Sequence, residues 1–188
     1  VAPSRLILAS RSPQRRAILE QLAIPFEVRP ADVDELDVGP PHEVALENAR
    51  RKAAAISAAG EGEQLVLGVD TVVALEDRIY GKPSDPADAR DTLEALSGRT
   101  HVVIGGLCLI GPSGTRTAVA RTEVEFRTND ATTLDWYLDT GEWHDRAGAY
   151  AIQGKGAALV KRIEGDYLNV VGLPVGALLE LEPRLLTP

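Results

Sequence analysis

The chain has 188 residues, 44% of them hydrophobic and 26% charged. That is enough apolar material for one sizeable core under an ordinary polar surface, and it excludes intrinsic disorder and fibrous repeats. The length predicts a single domain over residues 1–188, and the formal net charge of −8 argues against general nucleic-acid binding, so an anionic ligand must meet a local cluster of positive charge.

Leu6-Ile7-Leu8-Ala9 is an apolar run of buried-strand type. Ser12 then caps a helix whose first position suits Pro13 and which runs to about Leu22, with Ile18, Leu19 and Leu22 on its apolar face. Val44 to Ala59 carries Leu46, Ala49, Ala53 and Ile56 at helical spacing, predicting an amphipathic helix stopped by Gly60, with Lys52 on the flank of the stripe. Leu65 to Gly68 and Val72 to Leu75 read as strand segments on either side of Asp70, followed by a turn at Glu76-Asp77-Arg78. Asp85-Pro86 opens another helix and Gly98 closes it. His101 to Ile110 is an apolar strand, Gly111 to Gly114 a turn, and Thr117 to Arg127 alternates as a half-buried strand does. Asn129 to Thr140 is a helix, and a glycine-rich loop spans Gly148 to Gly156. Ala157 to Arg162 and Tyr167 to Val171 flank a turn at Glu164-Gly165-Asp166, as two arms of a hairpin, before a last helix near Pro174. Helices interleaved with strand pairs predict an α/β fold, a mixed central sheet flanked by helices.

The single cysteine, Cys108, lies in an apolar run and reads first as a small buried hydrophobe. No apolar stretch has membrane-spanning length, because Asp70 interrupts Leu65 to Leu75, and Arg5 to Ala9 is too short for a signal peptide. A cytoplasmic protein without a membrane partner is expected.

Two places break local rules. Gln14, Arg15 and Arg16 follow a helix cap, where free amides already carry partial positive charge and a carboxylate would be normal. Either the arginines reach solvent, or an anion sits among amides and guanidinium groups there. Asp70 stands between Val66-Leu67-Gly68-Val69 and Val72-Val73-Ala74-Leu75 and needs a partner. It is a hydrogen-bonded core or turn residue, or else a metal ligand or general base. Other motifs fail. Gly148 to Lys155 has the wrong spacing for a phosphate loop and Gly156 where Ser or Thr is required. His42, His101 and His144 are too scattered for zinc, and Ser10 and Ser12 lack a nucleophile elbow.

In order along the chain, Leu6 to Ser10 with Ser12-Pro13 and Arg15-Arg16, then Gly68 to Val73, Gly81-Lys82-Pro83 and Leu96-Ser97-Gly98 resemble the signatures of the Maf family of nucleoside triphosphate pyrophosphatases. Ala147 to Tyr150 with Ile152-Gln153-Gly154, and Val171 to Pro174, extend the likeness over nearly the whole chain. The resemblance implies a Maf/Ham1-like fold of two lobes around a substrate cleft. It also implies a divalent cation, Mg2+ or Mn2+, and hydrolysis of a triphosphate to monophosphate and pyrophosphate in nucleotide-pool house-cleaning. Carried over by position, Asp70 and Glu35 are the catalytic and metal-holding acids, and Ser12, Arg15, Lys52 and Lys82 face phosphate. Thr71 and Gln153 look like the pair of the branch acting on dTTP and UTP, and an amide suits the acceptor and donor edge of uracil or thymine. Against a base-reading role, Gln153 could simply brace its loop through backbone bonds. Gln14 departs from the Arg usual in that branch, and Arg146 replaces a common Lys. Similar proteins are often homodimers. A rival of another class is a nucleotide-binding regulator of cell division and septum formation, with only incidental hydrolysis; the two acids favour the enzyme.

Overall fold

The computed structural model describes residues 6–58 and 64–186. Its strands and helices run β1 (Leu6–Leu8), α1 (Pro13–Gln21), β2 (Phe26–Val28), α2 (Pro41–Ala58), β3 (Leu65–Leu75), β4 (Arg78–Tyr80) and α3 (Pro86–Leu96). They continue through β5 (Thr100–Gly111), β6 (Gly114–Phe126), α4 (Ala131–Asp139), β7 (Val160–Glu164), α5 (Tyr167–Val171) and α6 (Val175–Leu181). The predicted stop of α2 at Gly60 lies outside the described residues.

One mixed sheet has the order β2-β1-β3-β5-β6-β7, with β4 also on β3. β1 runs parallel to β2 and β3, and every other pairing is antiparallel. Two apolar clusters lie toward opposite ends of β3 and β5. Leu67, Val69, Leu107 and Leu109 pack with α1 and α6, whereas Val73, Leu75 and Val103 pack with α3, α4 and the turns around Tyr150. α2 covers the opposite face, and the sequence allows it to lie close. A Cβ at Gly68 would come 2.1 Å from the Ala49 carbonyl oxygen, and one at Gly106 2.2 Å from that of Ala45. Only glycine fits at either position.

β3 is one continuous strand, not two segments broken at Asp70. One edge is paired with β5 from Val66 to Ala74, which keeps the backbone extended straight through Asp70. On the other edge β1 pairs as far as Leu67 and β4 begins at Val73. Between these points that edge has no strand partner among the described residues, so the sheet forks beside Asp70. Tyr167–Val171 is likewise a helix and not a hairpin arm. The Asp166 carboxylate accepts the Leu168 and Asn169 N–H groups at 2.8 and 3.3 Å, and Gly172, at φ 134°, ends the turn.

Candidate active site

Successive side chains of a strand point to opposite faces, so Asp70 and Thr71 leave β3 on opposite sides at the fork. Asp70 faces α2. Along that helix Ala45, Asn48, Ala49, Lys52 and Ala53 form one buried row at steps of three and four residues. The small members let the helix approach, and Asn48 and Lys52 reach the carboxylate. The Lys52 ammonium donates to Asp70 Oδ1 at 2.7 Å, and Asn48 Nδ2 donates to Asp70 Oδ2 at 3.1 Å. Asp70 is only 6% exposed, so these partners offset the cost of burying its charge.

Glu35 comes from the irregular segment between β2 and α2, and its Oε1 lies 3.0 Å from the same ammonium. Lys52 therefore sits between two carboxylates. The segment is seated by α2: Leu36 N–H donates to Asn48 Oδ1 at 2.7 Å, Asn48 Nδ2 donates to Leu36 O at 2.9 Å, and Arg51 donates to Asp34 O at 2.9 Å.

On the other face stands Arg15, which neither points to solvent nor hangs free. Its guanidinium donates to Gly172 O at 2.9 Å, Ser10 Oγ at 2.9 Å and Thr71 Oγ1 at 3.1 Å, joining the segment after β1, β3 and the turn before α6. Burial pushes this guanidinium down from its ordinary value, while the Asp70 and Glu35 charges hold it up. Arginine remains a cation, with two N–H groups of its five still uncommitted. Arg16 is exposed and pairs with Glu20 instead. Ser12 caps α1 by accepting the Arg15 N–H at 3.4 Å, and its hydroxyl donates to Gln14 Oε1 at 3.0 Å.

The fork thus brings Asp70, Glu35 and Lys52 together on one face and Ser12, Arg15 and Thr71 on the other. Lys82 and Gln153 are not bonded into either set. Both are exposed and make no side-chain hydrogen bond to a described residue, although Gly148 N–H donates to Gly81 O and ties the second residue's loop beside the first. Bracing of the Gly148 to Gly156 loop falls to other groups. Glu142 Oε2 accepts the Lys155 N–H at 2.7 Å, and Tyr137 Oη accepts the Ala151 N–H at 3.0 Å. Asn48, Ser10 and the Gly172 carbonyl are additions that the sequence reading missed. The available signal was a polar residue four before Lys52, in register with Ala45, Ala49 and Ala53.

No helix among the described residues is long and apolar enough to cross a membrane. The chain is 47% identical over 184 residues to a dTTP/UTP pyrophosphatase of Moorella thermoacetica, covering 95% of this chain and 93% of that protein. It is 46% identical over 177 residues to one of Anaeromyxobacter dehalogenans, covering 91% and 89%. A solved structure of the Staphylococcus aureus Ham1 protein matches with a TM-score of 0.55 over 95% of this chain and 97% of that one, and at 16% identity this is likeness of fold alone. The family model described as Maf-like protein matches residues 5–183, and the chain belongs to the Maf family.

Proposed function

We propose that the chain hydrolyses nucleoside triphosphates between the α- and β-phosphates, releasing a nucleoside monophosphate and pyrophosphate, with dTTP and UTP as preferred substrates. The observation that carries this reading is Asp70: a buried carboxylate at a fork in the sheet, bonded to Lys52 and Asn48, with Glu35 and Arg15 close by. Relatives 46–47% identical are named for that reaction.

The two carboxylates balance one ammonium and one guanidinium before any ligand arrives, whereas a triphosphate brings about four negative charges. More positive charge is needed, and the donors suit a divalent cation. Asp70 and Glu35 offer hard oxygens that already converge on one cation, the Lys52 ammonium. Among the described residues no group of three or more His, Cys, Asp or Glu could hold a metal. The fit is therefore to Mg2+ or Mn2+ kept by these two carboxylates together with phosphate and water oxygens. When bound, the ion supplies charge against the triphosphate.

The protein groups do the rest. Asp70 takes the proton of the water attacking the α-phosphorus. Arg15, Lys52, Lys82, Ser12 and the free N–H groups at the start of α1 meet phosphate oxygens, as helix N-termini and guanidinium groups do elsewhere. Gln153, whose amide is not spent on bracing its loop, reads the pyrimidine edge with Thr71. The test is pyrophosphate release from UTP, dTTP, CTP, GTP and ATP with Mg2+ or Mn2+. UTP and dTTP should lead in kcat/KM, and no pyrophosphate from any of them with either ion would refute the reading.

A further inference from the structure

We propose that Asn48 is a positioning residue: it fixes the two carboxylates of the site relative to one another, so that their spacing survives when Lys52 turns from them to phosphate. The side chain is 2% exposed, and its amide spends both N–H groups and its oxygen on the site. One group goes to Asp70 Oδ2 at 3.1 Å. The others pair with Leu36 N–H and Leu36 O at 2.7 and 2.9 Å, much as a neighbouring strand would hold that residue. Glu35 is the preceding residue, so its position is set by the same amide.

The alternative ties to Glu35 are weaker or exchangeable. Its side chain is 48% exposed, and its ion pair is with the ammonium that must also serve phosphate. Arg51 holds Asp34 O in an exposed contact. With Lys52 turned toward a phosphate and no divalent cation yet between them, Asp70 and Glu35 are unscreened like charges, and repulsion moves the half-exposed partner first. A neutral, buried amide resists this because its two bonds to Leu36 join uncharged groups and do not depend on where the Lys52 ammonium goes. No other side chain of this size both accepts the Leu36 N–H and donates to a carbonyl and a carboxylate; aspartate lacks the donors, and leucine lacks both.

Only the kinetic arm of the test rests on the pyrophosphatase reading; the exchange arm does not. Asn48→Ala and Asn48→Leu are compared with wild type, the second keeping the branched shape without donor or acceptor in case the first fails to fold. Amide hydrogen exchange is followed at Leu36, with Val69 of β3 as the internal reference. The expectation is Leu36 exchange faster by about tenfold or more with Val69 unchanged, the size expected for losing one hydrogen bond. In kinetics kcat should fall more than KM changes, and the loss should not multiply with that of Glu35→Ala, because both act on the same carboxylate. Unchanged Leu36 exchange in a folded variant overturns the proposal, as do losses that multiply in full. A wild-type protein that releases no pyrophosphate would refute the reaction while leaving the Leu36 result standing.

Discussion

Gly106 is the cross-strand neighbour of Asp70 on β5, and the backbone of α2 rests on it. In Gly106→Ala the new Cβ would sit 2.2 Å from the Ala45 carbonyl oxygen, a backbone atom that no rotamer can move. An ordinary contact of carbon with oxygen is about 3.3 Å or more, so α2 must lift by about 1 Å. Asn48 and Lys52 ride on that part of the helix and would leave bonds now 3.1 and 2.7 Å long. Overpacking of this kind costs about 1–3 kcal/mol. A misplacement of about 1 Å at catalytic groups costs about a hundredfold in rate. The matching control is Gly176→Ala in α6, where the added carbon meets nothing nearer than 3.9 Å and helix propensity adds up to about 1 kcal/mol. Thermal melts and pyrophosphate release are measured on both variants. Gly106→Ala with the melting temperature and kcat/KM of wild type would refute the claim that close seating of α2 builds the site.

Two further expectations rest on single side chains. Gln153→Glu exchanges an amide donor for an acceptor, so kcat/KM for UTP should fall against GTP by about ten- to a hundredfold; an unchanged ratio would remove Gln153 from base reading. His101 is fully buried, its ring bonded to Tyr150 Oη at 2.9 Å, and burial pushes its imidazole down from 6.5 to about 4. The unfolded chain takes up this proton first as pH falls. The stability tied to the neutral ring is therefore complete above about 6.5 and is lost toward about 4, by up to about 3 kcal/mol. Urea melts across that window should lose this slope in His101→Phe, and equal slopes in the two proteins would contradict the assignment.

The elements with their own period or punctuation were legible in the sequence. Ser12-Pro13 and Asp85-Pro86 do start helices, β5 lies where the apolar run put it, and β6 where the alternation did. β2 and β4 were missed because three residues carry no period, and partners on β1 and β3 define them. Reading Asp70 as a break followed from treating a charge as incompatible with a buried strand; the strand continues because α2 supplies the counter-charge. Counting only apolar residues also recovered only part of the packed row of α2: Ala49 and Ala53 belong to it, but Ala45 and Asn48 were left out and Lys52 was put on its flank. Leu46 is half-buried, and the row that packs includes Asn48 and Lys52, the two polar residues that such a count steps over. Arg15 was anomalous in sequence, but two of its three acceptors, Gly172 and Thr71, are distant enough in the chain that only the fold could name them.

Hydrolysis in 18O-labelled water, with mass analysis of both products, locates the bond that breaks and the role of Asp70 together. Attack at the α-phosphorus puts the label in UMP and leaves the pyrophosphate unlabelled. In Asp70→Asn, which keeps the side-chain size but removes the base, the labelled product should form at least about a hundredfold more slowly. Label appearing in the pyrophosphate, UDP with free phosphate as products, or an Asp70→Asn variant as fast as wild type would contradict the mechanism.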